Sequence, residues 1–361
     1  MKINKPTFLV NEAQVRANIR NMKLKADKSN AELRPHFKTH QSAEISEWCR
    51  QEGISKITVS SMDMAKYFAE HGWNDITIAF PYNPLEHEAL NDLASKVHLN
   101  VLIVSKEALD HLNQNVKAEL GYFIKLDVGT HRTGVEISEE GKIRKIAESK
   151  NQKHQFKGVL VHAGHSYQPL TNIEASRIYQ DSLRLMRQVK ELTNQEDLIF
   201  SYGDTPTCSI LEDFSEMDEL RPGNFVFYDT MQQWFNACSL EEIAVCMACP
   251  VVAVHPQRNE IVVYGGGVHL SKDMIMPEGI RSFGTVVEWK GKSWGSLPIG
   301  NVVRVSQEHG IIHVSDEVIQ SVKIGDVLGV LPVHSCMTAD LQGYYVSLSG
   351  NRINKFNKSM I

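Results

Sequence analysis

Between residues 32 and 228 the chain repeats one pattern, a short β-rich run followed by an amphipathic stretch of helical length. The runs are ELRPHFK, ITVSS (57–61), ITIAFP (76–81), HLNVLIVS (98–105), YFIKLDVG (122–129), KGVLVHAG (157–164), LIFSYGD (198–204) and LRPGNFVFY (220–228). Between most of them lie segments such as SMDMAKYFAEHG and EASRIYQDSLRLMRQVKELTN, with apolar residues three and four apart. Eight strand–helix units in about 220 residues are what a closed parallel barrel of the (β/α)8 TIM type requires. After about residue 235 the texture changes to strand-like runs separated by Gly, Asn, Asp and Pro turns, from AVCMACPVVAVHP to YYVSLSG. The expected architecture is therefore a barrel over 10–235 followed by an all-β domain over 236–361, joined by residues 1–9.

Composition narrows the function classes. The 361 residues are 42% apolar, and acids exceed bases by five with no long run of either sign. That balance predicts neither a nucleic-acid footprint nor attraction to an anionic membrane, so a small-molecule substrate is the expectation. No apolar stretch reaches the roughly 20 residues a bilayer span needs, and the start, MKINKPTFLV, lacks an export signal. Six scattered cysteines fit reduced thiols in a cytoplasmic protein. Cys246-Met-Ala-Cys249 has no partner pair nearby and reads as buried strand.

In a parallel barrel, chemistry collects at the C-terminal ends of the strands. Lys38, Asp127 with Arg132, His162 and His165, Asp204 with Thr205 and Thr207, and Arg221 all fall there. Lys38 stands in LRPHFKTH, where Arg34, His36 and His40 would each disfavour a positive charge. Such a setting favours an amine nucleophile.

RPHFKTH, KLDVGTHRTGV, GVLVHAGHSY, YGDTPT, ELRPGNFVFYD and LPVHSC, in that order and spacing, resemble the D-threonine aldolase and D-serine dehydratase group of alanine-racemase-like (fold type III) pyridoxal phosphate enzymes. The resemblance spans nearly the whole chain. It implies that Lys38 holds pyridoxal 5'-phosphate as a Schiff base and that Arg221 faces the pyridine nitrogen. Arg132 would lie near the cofactor's phenolic oxygen, or else form a salt bridge with Asp127. For the phosphate it implies backbone amides of Gly203, Thr205, Gly223 and Asn224 with the hydroxyls of Thr205 and Thr207, and Tyr202 belongs to the same cofactor-binding set. His36 is expected to orient Lys38. His162, His165 and Tyr167 contact the ring or substrate, or serve as core and caps.

HSC, residues 334–336, is the second informative stretch. Read as strand, positions i and i+2 point to one side, so His334 and Cys336 converge. The resemblance makes them ligands of a divalent metal, for which an imidazole and a thiolate suit zinc, with manganese as the alternative. GGGVHLSKD, residues 265–273, reads as a loop of the β-domain approaching the site.

The expected activity is a lyase acting on D-β-hydroxy amino acids, of the D-serine dehydratase type. Cleavage to glycine and an aldehyde, as by a D-threonine aldolase, is the alternative. A racemase would need a second base, for which Tyr167 is available. The resemblance also implies a head-to-tail homodimer.

Overall fold

The computed structural model describes residues 1–149 and 151–357. These form two compact units. One comprises Met1–Ile19, Thr39–Trp48 and Asn224–Asn357; the other comprises Arg20–Lys38 and Cys49–Gly223.

Strand β1 (Thr7–Val10) precedes the eight strands of the second unit: β2 (Glu32–Leu33), β3 (Ile57–Val59), β4 (Asp75–Pro81), β5 (His98–Ile103), β6 (Leu120–Lys125), β7 (His154–Leu160), β8 (Ile199–Tyr202) and β9 (Glu219–Leu220). All neighbours in the sheet are parallel, in the order β2-β9-β8-β7-β6-β5-β4-β3. The two ends meet through a parallel bridge between His36 and Thr58, with Thr58 N donating to Pro35 O at 3.0 Å and Phe37 N to Thr58 O at 2.9 Å. The curled sheet is thereby joined into the eight-stranded barrel that the alternation predicts. Side chains fill its interior: Leu102, Phe123 and Leu160 are each 1% exposed.

The intervening helices start where the chain supplies caps. Ser61 accepts from Met64 N and Ser105 from Ala108 N, and Thr171 with Glu174 forms a capping box for the long helix Asn172–Thr193. Each such side chain satisfies a helix-terminal amide that would otherwise lack a partner. None of the helices among the described residues is long and apolar enough to cross a membrane.

The other unit holds a nine-stranded sheet of β1 with β10 (Val245–His255), β11 (Glu260–Tyr264), β12 (Gly284–Trp289), β13 (Trp294–Val305), β14 (His309–Val314), β15 (Val327–Pro332), β16 (Tyr344–Ser347) and β17 (Arg352–Asn354). Only the β1–β16 pairing is parallel. An additional β10–β11 pairing, after a bulge between Val251 and Ala253, closes β10, β11, β14, β13, β12 and β15 into a ring. The bulge supplies the local bend that closure needs.

The all-β expectation holds for the sheet but omits three short helices: Gly267–Leu270, Asp316–Ser321 and Ser335–Leu341. Two of them lie where the sequence reading had loop and strand, at GGGVHL and at HSC.

Candidate active site

In the barrel unit, Lys38, Lys125, His162, Gly203 and Arg221 follow or end β2, β6, β7, β8 and β9, all at C-terminal strand ends. Lys38 is exposed between buried Phe37 and Lys38's own successor Thr39. Its backbone amide donates to His36 Nδ1 at 3.3 Å, so His36 positions the lysine through the main chain. The cationic neighbours expected around Lys38 need correcting. Arg34 is buried, with Nε on Glu219 Oε1 at 2.9 Å and Nη1 on Asp75 Oδ1 at 2.6 Å, so its charge is matched by two carboxylates. His40 is fully buried, and burial lowers it to about 3, which keeps it neutral.

Arg221 is 5% exposed and held on one side. Nε donates to Ser201 Oγ at 2.7 Å, while Nη2 donates to the carbonyls of Val161 and Ser201. Nη1 carries no hydrogen bond among the described residues and is left as a donor. Burial pulls the guanidinium down to about 10, against the favourable field of Glu219. Gly203 is required beside it, because a Cβ there would come within 2.9 Å of Arg221 Cβ.

Lys125 was missed in the sequence reading. It lies inside the apolar run YFIKL, is 5% exposed, and donates from Nζ to Leu126 O at 2.9 Å. Burial, with Arg221 and Arg132 nearby, lowers it to about 7. Asp127 is not the salt-bridge partner of Arg132. Its Oδ1 instead accepts from the amides of Gly129, Thr130 and His131 at 2.9, 3.0 and 3.1 Å, folding the loop that presents Arg132. Arg132 is exposed and has no ion pair or hydrogen bond among the described residues.

His162 donates from Nδ1 to Gly203 O at 2.8 Å. Burial, followed by the charges of Lys38, Lys125 and Arg132, lowers it to about 3, so the ring is a neutral wall amid cations. Tyr167 is 36% exposed, with its ring centroid 5.9 Å from that of His162 and its hydroxyl 3.5 Å from Thr205 N. Thr205 Oγ1 in turn accepts from Gly223 N at 3.3 Å. Tyr202 has no exposed surface and packs edge-on against Tyr179, so its ring is wall packing rather than a face that a cofactor can touch.

The fit to pyridoxal phosphate can be tested on these features. Lys38, Lys125, Arg132 and Arg221 put several cations about one neutral histidine, Arg221 keeps a spare donor, and the buried Nδ1 of His165 has no partner. A gathering of cationic side chains and a spare guanidinium donor suit an anionic ligand that accepts hydrogen bonds. An aromatic ring bearing a phosphate and a phenolic oxygen meets that description.

The C-terminal unit carries a second cluster. Strand β15 ends at Pro332, and His334 is the N-cap of the helix Ser335–Leu341, with Cys336 in its first turn. The strand geometry assumed for HSC is thus corrected: a cap and a helical turn bring the pair together. Asn224 Nδ2 donates to Asp229 Oδ2 at 2.6 Å and to Cys336 Sγ at 3.4 Å, and the Thr39 hydroxyl lies 3.3 Å from the same sulfur. The side chain of Asn224 belongs to this cluster, which leaves its backbone amide as the group expected at the phosphate. Asp229 is fully buried and also accepts from Ser335 N at 2.8 Å, fixing the residue between His334 and Cys336.

Burial disfavours a charged His334, but the Asp273 carboxylate and Cys336 outweigh it and raise the imidazole to about 11. An imidazole and a thiol on one cap and helical turn, with the Asp273 carboxylate 3.5 Å from the ring, have donors that suit zinc. Among the described residues no three His, Cys, Asp or Glu side chains converge as a ligand set.

Comparison with known proteins now identifies the lineage. Residues 10–230 match the alanine racemase N-terminal domain, and residues 244–348 match a putative serine dehydratase domain. D-serine dehydratase of Dictyostelium discoideum is 30% identical over 390 aligned positions, covering 97% of this chain and 95% of the relative. The chain belongs to the alanine-racemase-like family of fold type III pyridoxal phosphate enzymes, in its D-serine dehydratase branch. D-threo-3-hydroxyaspartate dehydratase of Delftia sp. is 25% identical, covering 97% of this chain and 96% of that one. A cysteine variant of D-threo-3-hydroxyaspartate dehydratase, solved in its metal-free form, superimposes with a TM-score of 0.91 at 23% identity, covering 99% of this chain and 98% of that one, which establishes the shared fold.

Proposed function

We propose that this family member is a pyridoxal-phosphate-dependent lyase of D-β-hydroxy amino acids, with D-serine as substrate and pyruvate and ammonia as products. The reading is carried by full-length similarity to a D-serine dehydratase, and the His334–Cys336 pair gathered at the start of one helix in the C-terminal unit supports it. Pyridoxal phosphate held by Lys38 would supply an electron sink for a carbanion at Cα, and a metal held by His334 and Cys336 would supply a Lewis acid for the β-hydroxyl.

The chain's own groups have separable tasks. Arg221, gripped by Ser201 and two carbonyls, presents Nη1 to an acceptor in a fixed direction. A permanent cation there disfavours protonation of a ring nitrogen. The Lys38 amine is the base for the Cα proton, and one amine on one face selects one enantiomer. His162, held neutral and oriented by Gly203 O, offers a flat wall without adding charge. Arg132 and Lys125 supply cations for the anionic oxygens of the cofactor. Thr205, Gly223 and Gly203 lie where barrels of this type bind phosphate.

Zinc as the metal, a homodimer and a cytoplasmic location are parts of the same proposal. All six cysteines are free, as a reducing compartment requires.

A side-by-side product assay with D-serine and D-threonine tests the reading. Keto acid and ammonia from D-serine support dehydration. Glycine and acetaldehyde from D-threonine would replace it with aldol cleavage, and interconversion of D- and L-alanine with a racemase using Tyr167.

A further inference from the structure

The segment after β11 is held in an uncommon way. Ser271 has φ +70°, a left-handed value rare for a residue with a side chain. Its hydroxyl accepts from Asp273 N at 3.2 Å and donates to Asp273 Oδ2 at 2.9 Å, so the turn fixes both the backbone and the carboxylate of Asp273. The helix that carries Cys336 grips the same segment: Thr338 Oγ1 donates to Leu270 O at 2.9 Å, and Gln342 Nε2 donates to His269 O at 3.0 Å. Asp273 is thereby delivered to His334, with Oδ2 3.5 Å from Nδ1.

The geometry points to Asp273 as a positioning residue that fixes the tautomer and ring orientation of His334, so that Nε2 faces a divalent metal shared with Cys336. The inference rests on the metal reading above. An imidazole gives a metal only one nitrogen, and the other must carry the proton. A carboxylate on that second nitrogen sets which tautomer is present, stops rotation of the ring and makes the ligating nitrogen more basic. Asp273 stands on Nδ1, which leaves Nε2 as the donor. A strained turn tied to the helix on two carbonyls is the support such a carboxylate needs, because a loosely held one would cost orientation entropy on each binding event.

The test is a zinc titration of the cofactor-loaded protein after chelator treatment, read by competition with a chromophoric chelator, for the wild type, Asp273→Asn, Asp273→Glu and His334→Ala. Loss of an orienting partner of this kind weakens metal binding roughly 10- to 100-fold. Asp273→Asn is expected to bind one zinc per chain with a dissociation constant raised by that factor, Asp273→Glu to recover part of the loss, and His334→Ala to lose stoichiometric zinc. Cobalt substitution adds a second readout: in Asp273→Asn the sulfur-to-cobalt charge-transfer band should persist while the ligand-field bands shift. Wild-type affinity in Asp273→Asn would overturn the assignment. So would loss of stoichiometric zinc in that variant, which would make Asp273 a ligand itself. A wild-type protein that takes up no zinc removes the metal reading first, and this inference with it.

Discussion

Arg221 Nε donates to Ser201 Oγ at 2.7 Å, and the Ser201 hydroxyl donates onward to Glu219 Oε2 at 2.8 Å. Glu219 also accepts from Arg34, so the guanidinium proposed to face the cofactor is the end of a buried relay Arg221–Ser201–Glu219–Arg34. Replacing Arg221 by glutamate should shift the absorption of the bound cofactor and increase racemisation or transamination side products. Ser201→Ala should cost about 1.5–3 kcal/mol in stability, as for a lost hydrogen bond to a charged group, and broaden the same spectrum. Unchanged spectra and product ratios in both variants would remove Arg221 from the ring.

Lys38 and Lys125 are rival amines, and a labelling experiment separates them. Burial and neighbouring cations lower Lys125 to about 7, yet it is 5% exposed and spends its ammonium on Leu126 O. Lys38 is exposed at a strand end. Borohydride treatment of the yellow protein should fix the cofactor on the peptide containing Lys38, and Lys38→Ala should abolish covalent attachment. Label on Lys125 would sink the assignment.

Chelation, His334→Ala or Cys336→Ala should leave the yellow colour intact while turnover of D-serine falls by orders of magnitude, since a metal contributes several kcal/mol at a developing alkoxide. Zinc or manganese should restore the chelated protein and neither variant. Full turnover in metal-free protein would end the Lewis-acid reading.

The barrel was legible because each of its strands alternates with an amphipathic helix, a pattern local to about 30 residues. Strand ends were less so. Of the expected run 220–228 only Leu220 is strand, in Glu219–Leu220; Arg221 N still donates to Tyr202 O at 2.8 Å and Pro222 O accepts from His36 N at 2.9 Å, but Pro222 has no amide to donate and Asn224–Val226 turns into a 3-10 helix. HSC read as strand for the same local reason, although Pro332 ends β15 before it. Long-range pairing was invisible: the carboxylates that neutralise Arg34 stand 41 and 185 residues away. Lys125 was hidden by its apolar neighbours, which signal burial and so disguise a buried charge. Asp273 lay in a stretch singled out only for its glycines.

Acid stability offers a check that does not involve catalysis. His40 is fully buried, its Nδ1 accepts from Ser42 N at 3.1 Å, and burial lowers it to about 3 from the ordinary 6.5. Between those values the unfolded chain binds the proton and the folded one does not. Stability from this site is therefore complete above pH 6.5 and falls as pH drops, by up to about 1.4 kcal/mol per pH unit. Urea unfolding at pH 7 and pH 5 should show a smaller loss in His40→Gln than in the wild type. An identical loss in the two proteins would mean that His40 does not carry it.

Strand β1 has a consequence for how the protein is made. Its four residues lie between β10 and β16, pairing Leu9 with Cys246 on one side and with Val346 on the other. A ribosome adding roughly 5–20 residues per second releases β10 only after the roughly 230 residues that separate it from β1, and β16 later still. For that time, on the order of tens of seconds, an apolar tetrapeptide must wait for partners made long after it. A chaperone that shields the nascent β1 segment would therefore raise the yield of folded protein, because the place between β10 and β16 stays open until that strand is inserted.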